Sequence, residues 1–108
     1  MKIYSFEDSL NLSLDEIKKL YQANINAKQT EILNQFPFNK HLFVKAKGIN
    51  IYDDNNQKFY DFSGGIGVLG LGHNHDKIIK ARINFQNQNF IEVHKLYFSR
   101  YLAALSNN

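Results

Sequence analysis

Glycine occupies five of the eleven positions from residue 63 to residue 73, SGGIGVLGLGH. Gly65, Gly67 and Gly70 follow the spacing G-x-G-x-x-G. Glu92 follows at about the twenty-residue distance at which dinucleotide-binding proteins place the acidic residue that holds a ribose. In those proteins the glycines let bare main chain approach a pyrophosphate, so nucleotide binding is the first chemistry that this pattern suggests.

The surroundings of these glycines argue against a nucleotide site. A dinucleotide loop places its third glycine at the start of a helix, after the first strand of a parallel βαβ unit. Here residues 71–74 separate Gly70 from the next predicted helix, and the preceding strands predict an antiparallel meander. Glu92 falls in a stretch of ambiguous periodicity. The nucleotide interpretation is therefore set aside.

Two other roles suit a segment in which glycines alternate with apolar residues such as Ile66 and Val68. Glycine permits a positive φ angle and a close approach of the main chain to a ligand or to another backbone. The segment is therefore either a tightly packed crossing beneath a helix or a pocket wall whose amides face a small ligand. The apolar residues between the glycines predict that the segment is buried.

The histidines near the glycines do not predict a metal site. His73 and His75 form an H-x-H pair, but no third ligand at a suitable spacing accompanies them. We expect His73 to bond the backbone of its loop and His75 to lie at the start of the following helix. His41 and His94 are expected to be ordinary surface or core histidines.

The acidic residues of the strand region do not predict a hydrolase. Asp53 and Asp61 each follow a tyrosine near the end of a predicted strand, and a turn lies between them. This context predicts strand-end and turn roles rather than the paired carboxylates of a glycosidase. Ser63 lacks the G-x-S-x-G elbow that presents a hydrolase nucleophile.

Composition limits the function classes further. The 108 residues are 44% hydrophobic and predict one small domain with a modest core, or a piece of a larger one. Thirteen basic residues against ten acidic ones are scattered along the chain, which disfavours a nucleic-acid surface. Cysteine is absent, which suits a cytoplasmic protein and removes disulfides and thiolate sites. No signal peptide or transmembrane run is recognisable, so we expect a soluble protein without membrane partners.

Helical periodicity dominates the first third of the chain. Residues 1–12 predict an irregular lead-in, and residues 13–36 predict one amphipathic helix. Ser13 and Glu16 form a capping box at its start, and Pro37 helps to end it. The apolar stripe of this helix suits the protein's own core or the surface of a partner equally well.

An α+β fold follows from the rest of the chain. Residues 41–48, 49–54 and 58–63 predict three strands of a small antiparallel meander over residues 42–62. The segment DDNNQK predicts a turn between the last two strands. After the glycines a helix is predicted from about residue 74 or 75, and Ser99 can cap a final helix. The stretch NFIEVHKLYFS between them is ambiguous.

The stretch KGINIYDDNNQKFYDFSGGIGVLGLGHNHDKIIKA resembles the N-terminal region of the class III aminotransferases, of the acetylornithine, ornithine and 4-aminobutyrate type. The resemblance spans roughly residues 43–106. One departure is Asp76, which stands where the family has a proline. The residues that carry the resemblance are Gly48, Tyr52-Asp53, Tyr60-Asp61-Phe62, Ser63-Gly64 and Gly72-His73-Asn74-His75.

The resemblance implies the N-terminal segment of a fold-type I, pyridoxal-phosphate-dependent transferase. Residues 1–40 would be a lead-in with an amphipathic helix, and residues 41–108 a small-domain segment truncated before the cofactor domain. Gly65, Ile66 and Val68 would contribute to the substrate pocket, often that of a dimer. The resemblance assigns no catalytic, cofactor-binding or metal-binding residue to this chain.

The family's Schiff-base lysine, its ring-pairing acid and its phosphate-binding segment all come later than the region that this chain covers. Lys77, Lys80 and Lys95 do not match the Schiff-base position. The resemblance therefore implies a chain that is inactive by itself and binds no pyridoxal phosphate alone. Its expected partners are the remainder of the enzyme or a homodimer partner, and a small-molecule amino donor for the parent enzyme.

Three hypotheses about function follow. The chain is an inactive aminotransferase fragment, a non-catalytic module that pairs through its first helix with another chain, or one half of a split enzyme. Relatives on the same scaffold also carry out aminomutase and decarboxylase-type chemistry. Substrate and amino donor stay open at this stage.

Overall fold

The computed structural model describes residues 3–92 and 96–108, which contain helices and one small sheet. By its internal contacts the chain divides into two units, Met1–His73 and Asn74–Asn108. The mixture of helices with an antiparallel sheet confirms the predicted α+β class. The helices are α1 (Phe6–Leu10), α2 (Leu14–Asn24), α3 (Ala27–Asn34), α4 (Gly64–Gly67), α5 (Asp76–Asn87) and α6 (Arg100–Asn107), and the strands are β1 (Phe43–Lys47), β2 (Asn50–Asp53) and β3 (Lys58–Tyr60).

The predicted irregular lead-in is wrong, because α1 forms within it. Ser5 and Asp8 make a capping box: the Asp8 amide donates to the Ser5 hydroxyl oxygen at 3.0 Å, and the Ser5 amide donates to the Asp8 carboxylate at 2.9 Å. Two of the free amides at the helix start are satisfied in this way. The predicted capping box of Ser13 and Glu16 opens α2 in the same manner and is confirmed.

The long helix predicted over residues 13–36 is two helices, so that prediction is wrong in extent. Asn26 has extended backbone, with φ −161° and ψ 110°, and its side chain accepts the Gln29 amide at 3.0 Å. An asparagine that can cap a new helix competes with continuation of the old one, and here the cap wins. Helix α3 ends at Asn34, and Pro37 opens a short 3₁₀ turn over Pro37–Lys40.

The meander forms as predicted, with strand order β1-β2-β3 and antiparallel pairing throughout. Ile51 of β2 lies opposite Ala46 on one side and Phe59 on the other. The predicted turn between β2 and β3 is also confirmed: the Asn56 amide donates to the Asp53 carbonyl at 2.9 Å. Asn56 has a φ of +61°, which asparagine tolerates better than most residues.

The described part of the second unit contains two helices and an aromatic cluster. Helix α5 begins at Asp76, with His75 as its N-cap residue, in agreement with the predicted start. Ser99 accepts the Leu102 amide at 3.3 Å and caps α6 as expected. The rings of Phe85, Phe90 and Tyr101 lie 5.4 to 6.3 Å apart. His94 lies outside the described residues.

The predicted modest core is not found among the described residues. None of their hydrophobic side chains is fully buried, and the two buried residues are polar, Thr30 at 6% exposure and Asp53 at 2%. The Thr30 hydroxyl donates to the carbonyl of Asn26, the N-cap residue of α3, at 2.9 Å, so this buried hydroxyl has a hydrogen-bond partner. Across residues 3–92 and 96–108, every helix is too short or too polar to cross a membrane.

Candidate functional site

The glycine segment, residues 63–73, is held at its start by Asp61, the residue directly after β3. The Asp61 carboxylate accepts the Ser63 amide at 2.9 Å, the Ser63 hydroxyl at 2.8 Å and the Gly64 amide at 3.0 Å. A fourth contact joins Asp61 Oδ2 to His73 Nε2 at 2.7 Å. One carboxylate therefore ties the first residues of the segment to its last residue.

The end of the segment is joined to the turn between β1 and β2. The Gly48 amide donates to the His73 carbonyl at 2.9 Å, and the His73 amide donates to the Gly48 carbonyl at 2.8 Å. A Cβ atom on Gly72 would lie 2.9 Å from the Gly48 backbone, closer than side-chain atoms approach in proteins. Gly72 is therefore needed where the two chains cross, because any larger residue would separate them.

The middle of the segment is a left-handed turn, α4. Four consecutive residues, Gly64–Gly67, have positive φ angles between 53° and 78°. Three of them are glycines, which adopt this conformation without strain. The fourth is Ile66, with φ 60° and ψ 47°, a conformation that costs a β-branched residue on the order of 1–3 kcal/mol. The segment thus stores backbone strain at a single residue.

The segment is not buried, so that expectation is wrong. Ile66 is 95% exposed and Val68 is 80% exposed. The physical reason is that hydrogen bonds to Asp61 and within the segment hold its shape, and apolar side chains are not required to pack inward. The three residues predicted to contact substrate, Gly65, Ile66 and Val68, lie together along the turn and at its end.

A cavity of about 320 Å³ lies beside the segment, bordered by Asp61 and His73 and by backbone of Gly48, Gly64 and Gly72 among others. Gly65, Ile66 and Val68 do not border it. The segment thus contains a close main-chain crossing at Gly72 and a recess beside it, lined by polar groups and by Ile49, Leu69 and Leu71. The crossing lies against the β1–β2 turn rather than beneath a helix.

A second His–Asp pair lies in the meander. His41 Nδ1 is 3.0 Å from Asp53 Oδ2, and Asp53 Oδ1 accepts the amides of Asn55 at 3.0 Å and Gln57 at 2.8 Å. The predicted strand-end and turn roles of Asp53 and Asp61 are both confirmed by these contacts. The His41 ring also lies against Phe59, with 4.7 Å between ring centroids.

The carboxyl pKa of the aspartate is lowered in both pairs, but the contributions that lower and raise it differ between the two pairs. The hydrogen bond from His73, followed by those of the Ser63 hydroxyl and the Gly64 amide, holds the pKa of Asp61 well below its usual range. Burial raises the pKa of Asp53, but hydrogen bonds from the Gln57 amide, His41 and the Asn55 amide outweigh it and leave that pKa lowered. Both carboxylates are therefore held ionised at neutral pH.

The hydrogen-bond partner predicted for the His73 side chain is wrong. The His73 side chain bonds the Asp61 carboxylate, whereas the prediction gave it loop backbone as partner; only its main chain contacts Gly48. The missed signal is a shared spacing, since each histidine lies twelve residues from its aspartate. Within residues 3–92 and 96–108, no group of three potential metal ligands occurs.

Known proteins share sequence with part of this chain. Over 43 residues it is 44% identical to a probable 4-aminobutyrate aminotransferase of Bacillus subtilis (strain 168), a match that covers 40% of this chain and 10% of that protein. It is 43% identical over 44 residues to a diaminobutyrate–2-oxoglutarate transaminase of Wolinella succinogenes, covering 41% of this chain and 10% of the other.

A longer match is to an acetylornithine aminotransferase of Aquifex aeolicus, 34% identical over 68 residues, or 63% of this chain and 18% of that protein. No protein-family model matches the chain. The chain spans between 10% and 18% of the length of these three relatives. Along that part of its length the chain is similar to the class III aminotransferases, which confirms the resemblance predicted from its sequence.

Proposed function

We propose that the chain is the N-terminal part of a pyridoxal-phosphate-dependent aminotransferase, which transfers an amino group from an amino donor to an oxo acid or an aldehyde. The observation that carries the proposal is its similarity to relatives that are named as aminotransferases of three different substrates, at 34% to 44% identity. Because the chain spans at most 18% of those relatives, the remaining parts of the enzyme come from further residues, of the same chain or of another.

The cofactor belongs to those further residues in this proposal. Pyridoxal phosphate acts as an electron sink when bound, and it requires a lysine for its Schiff base and an acid beside its ring nitrogen. Among the described residues no lysine borders the cavity beside the glycine segment, and its acid, Asp61, already accepts hydrogen bonds from His73, Ser63 and Gly64. The residues of this site therefore do not fit the cofactor.

The role proposed for the glycine segment is to present Gly65, Ile66 and Val68 to the substrate, in a pocket completed by the rest of the enzyme or by a homodimer partner. The support is the exposure of Ile66 and Val68 together with the fixed ends of the segment. A side chain held on a tied turn contacts a ligand with little loss of conformational entropy. The aliphatic group of Ile66 suits an apolar part of the substrate.

Two assays test the proposal. The isolated chain, supplied with pyridoxal phosphate and several amino donors, is expected to show no turnover; steady turnover would contradict its proposed dependence on further residues. In the second assay, residues 48–75 of this chain, which carry the resemblance, replace the corresponding segment of the Bacillus subtilis relative. The chimera is expected to keep aminotransferase activity.

Variants of the chimera sharpen the second assay. Asp61→Ala removes the carboxylate that ties the glycine segment and is expected to abolish or strongly reduce activity. Asp54→Ala removes an exposed aspartate of the neighbouring turn and is the matched control. A chimera that folds, binds cofactor and still lacks activity would count against the proposal, as would equal effects of the two substitutions.

A second candidate function is a non-catalytic module that pairs with another chain. It is favoured by the apolar side chains that α2, α3 and the following turn leave exposed, among them Ile25 at 63%, Ile32 at 52% and Phe38 at 55%. Such surface promotes association. Sedimentation of the isolated chain separates the candidates: a stable monomer favours the module, and self-association favours a piece of a larger enzyme. The cytoplasmic location stays a prediction.

A further inference from the structure

A cavity of about 270 Å³ lies where α2 and α3 meet the start of β1, away from the glycine segment. Its walls are mainly apolar and include Leu14 and Ile17 of α2, Leu33 of α3, and Phe43 of β1. A cavity of about 150 Å³ is enough for benzene. This cavity therefore has room for one aromatic ring and a short substituent.

The permanent charge on the described lining of this cavity is positive. Among its described lining residues Lys18 is the only one with a permanent charge, and none is a carboxylate. Lys18 is half-buried, and its ammonium group has no ion-pair partner within residues 3–92 and 96–108. A cation left unpaired against an apolar wall favours a ligand that brings a negative charge and an apolar body together.

The other polar side chains of the cavity lining differ in whether they already have a hydrogen-bond partner. The Thr30 hydroxyl donates to the Asn26 carbonyl, and the side-chain amide of Asn39 donates one of its two hydrogens to the Leu33 carbonyl at 2.8 Å. The Tyr21 hydroxyl has no hydrogen-bond partner among the described residues. Tyr21 and Lys18 lie one turn apart on α2 and can share one anionic group.

His41 adds a positioned ring to the same lining. Its Nδ1 donates to the buried Asp53 carboxylate, which fixes the ring plane, and its Nε2 has no partner within the described residues. Packing against Phe43 and Phe59 limits the ring further. Because Nδ1 donates, Nε2 of the neutral ring is an acceptor, so His41 shapes the cavity through the fixed position of its ring and does not bind an anion.

We propose that this cavity binds a small monocarboxylate with an apolar body of about one ring, its carboxylate held by Lys18 and Tyr21 and its apolar body lying beside the His41 ring. The site lies outside the glycine segment and does not depend on the proposed aminotransferase function. The geometry provides for one anion and one apolar group, so dicarboxylates and neutral analogues fit less well.

Titration of the full chain with 3-phenylpropionate, followed by amide chemical shifts, tests the proposal. We expect a dissociation constant on the order of 1 mM for a ligand of this size. The shifts are expected to cluster at Lys18, Tyr21, Thr30 and His41. The neutral amide of the same acid, 3-phenylpropanamide, is expected to bind several-fold more weakly, because it lacks the charge that Lys18 recognises.

Two neighbouring lysines provide the matched pair of variants. Lys18→Gln is expected to weaken binding about fivefold, the usual worth of a partly exposed ion pair. Lys19→Gln, one position along the helix and outside the cavity lining, is expected to leave binding unchanged. Leu33→Phe reduces the apolar space and is expected to weaken the acid and the amide alike.

Three outcomes would overturn the proposal: no saturable shifts in the cavity, equal binding of the acid and the amide, or equal effects of the two lysine substitutions. Equal binding of acid and amide would instead indicate a purely apolar recess, of the kind that a side chain of another protein fills. Neither Lys18 nor Lys19 is fully buried, so we expect both variants, Lys18→Gln and Lys19→Gln, to fold. Circular dichroism of each variant verifies this.

Discussion

Two His–Asp pairs among the described residues make a similar contact, through Nδ1 of His41 and Nε2 of His73, for different tasks. In each, an aspartate that ends a strand meets a histidine twelve residues away along the chain. His41 and Asp53 join the entrance of β1 to the turn after β2, beside a register irregularity between Phe43 and Lys45 of β1. His73 and Asp61 join the two ends of an irregular segment that contains four left-handed residues in succession.

Their surroundings differ as much as their tasks. The Asp53 side chain is 1% exposed, and its histidine packs on aromatic rings. The Asp61 side chain is 12% exposed, and its neighbours are main-chain amides and a hydroxyl. The first pair therefore adds to a structure that packing already supports, whereas the second pair holds a segment whose side chains point largely to solvent. In the glycine segment, hydrogen bonds hold apolar residues in place although their side chains are exposed.

The largest effect on stability is expected from a substitution at Gly72, where the chain crosses close to the Gly48 backbone. Gly72→Ala places a methyl group 2.9 Å from the Gly48 backbone, at a φ of +77°. Overpacking and the left-handed conformation together are expected to lower the free energy of unfolding by about 3 kcal/mol. Urea denaturation measures the change.

Gly67→Ala is the control for that substitution. Its φ of +78° is the same within a degree, but apart from its chain neighbours and its own helix backbone, no described residue comes within 4 Å of the added methyl group. It is expected to cost about 1 kcal/mol, the conformational part alone. Equal losses for the two variants would mean that contact with Gly48 contributes nothing.

The next effect separates the two aspartates. Asp61→Ala leaves the donors of Ser63, Gly64 and His73 without their acceptor, and is expected to speed amide exchange in the glycine segment on the order of tenfold. Asp53→Ala is expected to speed exchange at Asn55 and Gln57 instead. Asp54→Ala is the control and should leave exchange in the glycine segment and at Gln57 unchanged, since the Asp54 carboxylate contacts only the Asn55 side chain among the described residues. Exchange that rises throughout the unit in both variants would show that the pairs are not independent.

Lowering the pH is expected to disrupt the two pairs in a defined order, because the pKa of each aspartate is lowered to a different extent. Both aspartates have a folded pKa below the unfolded value of about 3.9. Their contribution to stability is therefore complete above that value and is lost as pH falls through each folded pKa. Since Asp61 is lowered well below its usual range, the glycine segment should stay protected at a lower pH than the turn after β2. Carboxyl chemical shifts recorded from pH 5 to pH 2 test this order.

The smallest effect concerns the strained residue of the glycine segment. Ile66→Gly removes a β-branched side chain from a left-handed conformation and, because Ile66 is 95% exposed, sacrifices little packing. It is expected to raise the free energy of unfolding by about 0.5–1 kcal/mol. Val68→Gly, at a helical φ of −76°, relieves no strain and is expected to lower it. A loss of stability in both variants would mean that Ile66 is not strained.

The sequence predicted the elements that depend on local chemistry. The capping box of Ser13, the turn that contains Asn56 and the three strands each follow from residues close together in the chain. The break at Asn26 was missed because its cap competes with a continuing helical pattern, and periodicity alone does not decide that competition. The helix at Phe6–Leu10 was missed because its five residues are too few to show a period.

The candidate site was predictable only in part. Its glycines and its similarity to aminotransferases could be identified from residue types and order. The pairing of His73 with Asp61 could not, because it depends on how the segment between them turns back. The exposure of Ile66 and Val68 could not either, since apolar residues are usually buried and nothing in their order reveals a segment held by hydrogen bonds.

The 2.7 Å contact between Asp61 and His73 makes the chain between them a closed ring without a covalent link. The entropy of closing such a ring grows only with the logarithm of its length, so that doubling the number of residues costs about 0.6 kcal/mol. Insertions within the ring are therefore cheap for the fold as long as both ends are kept. A tip of this kind can change length and sequence during evolution while the sheet that carries it stays the same.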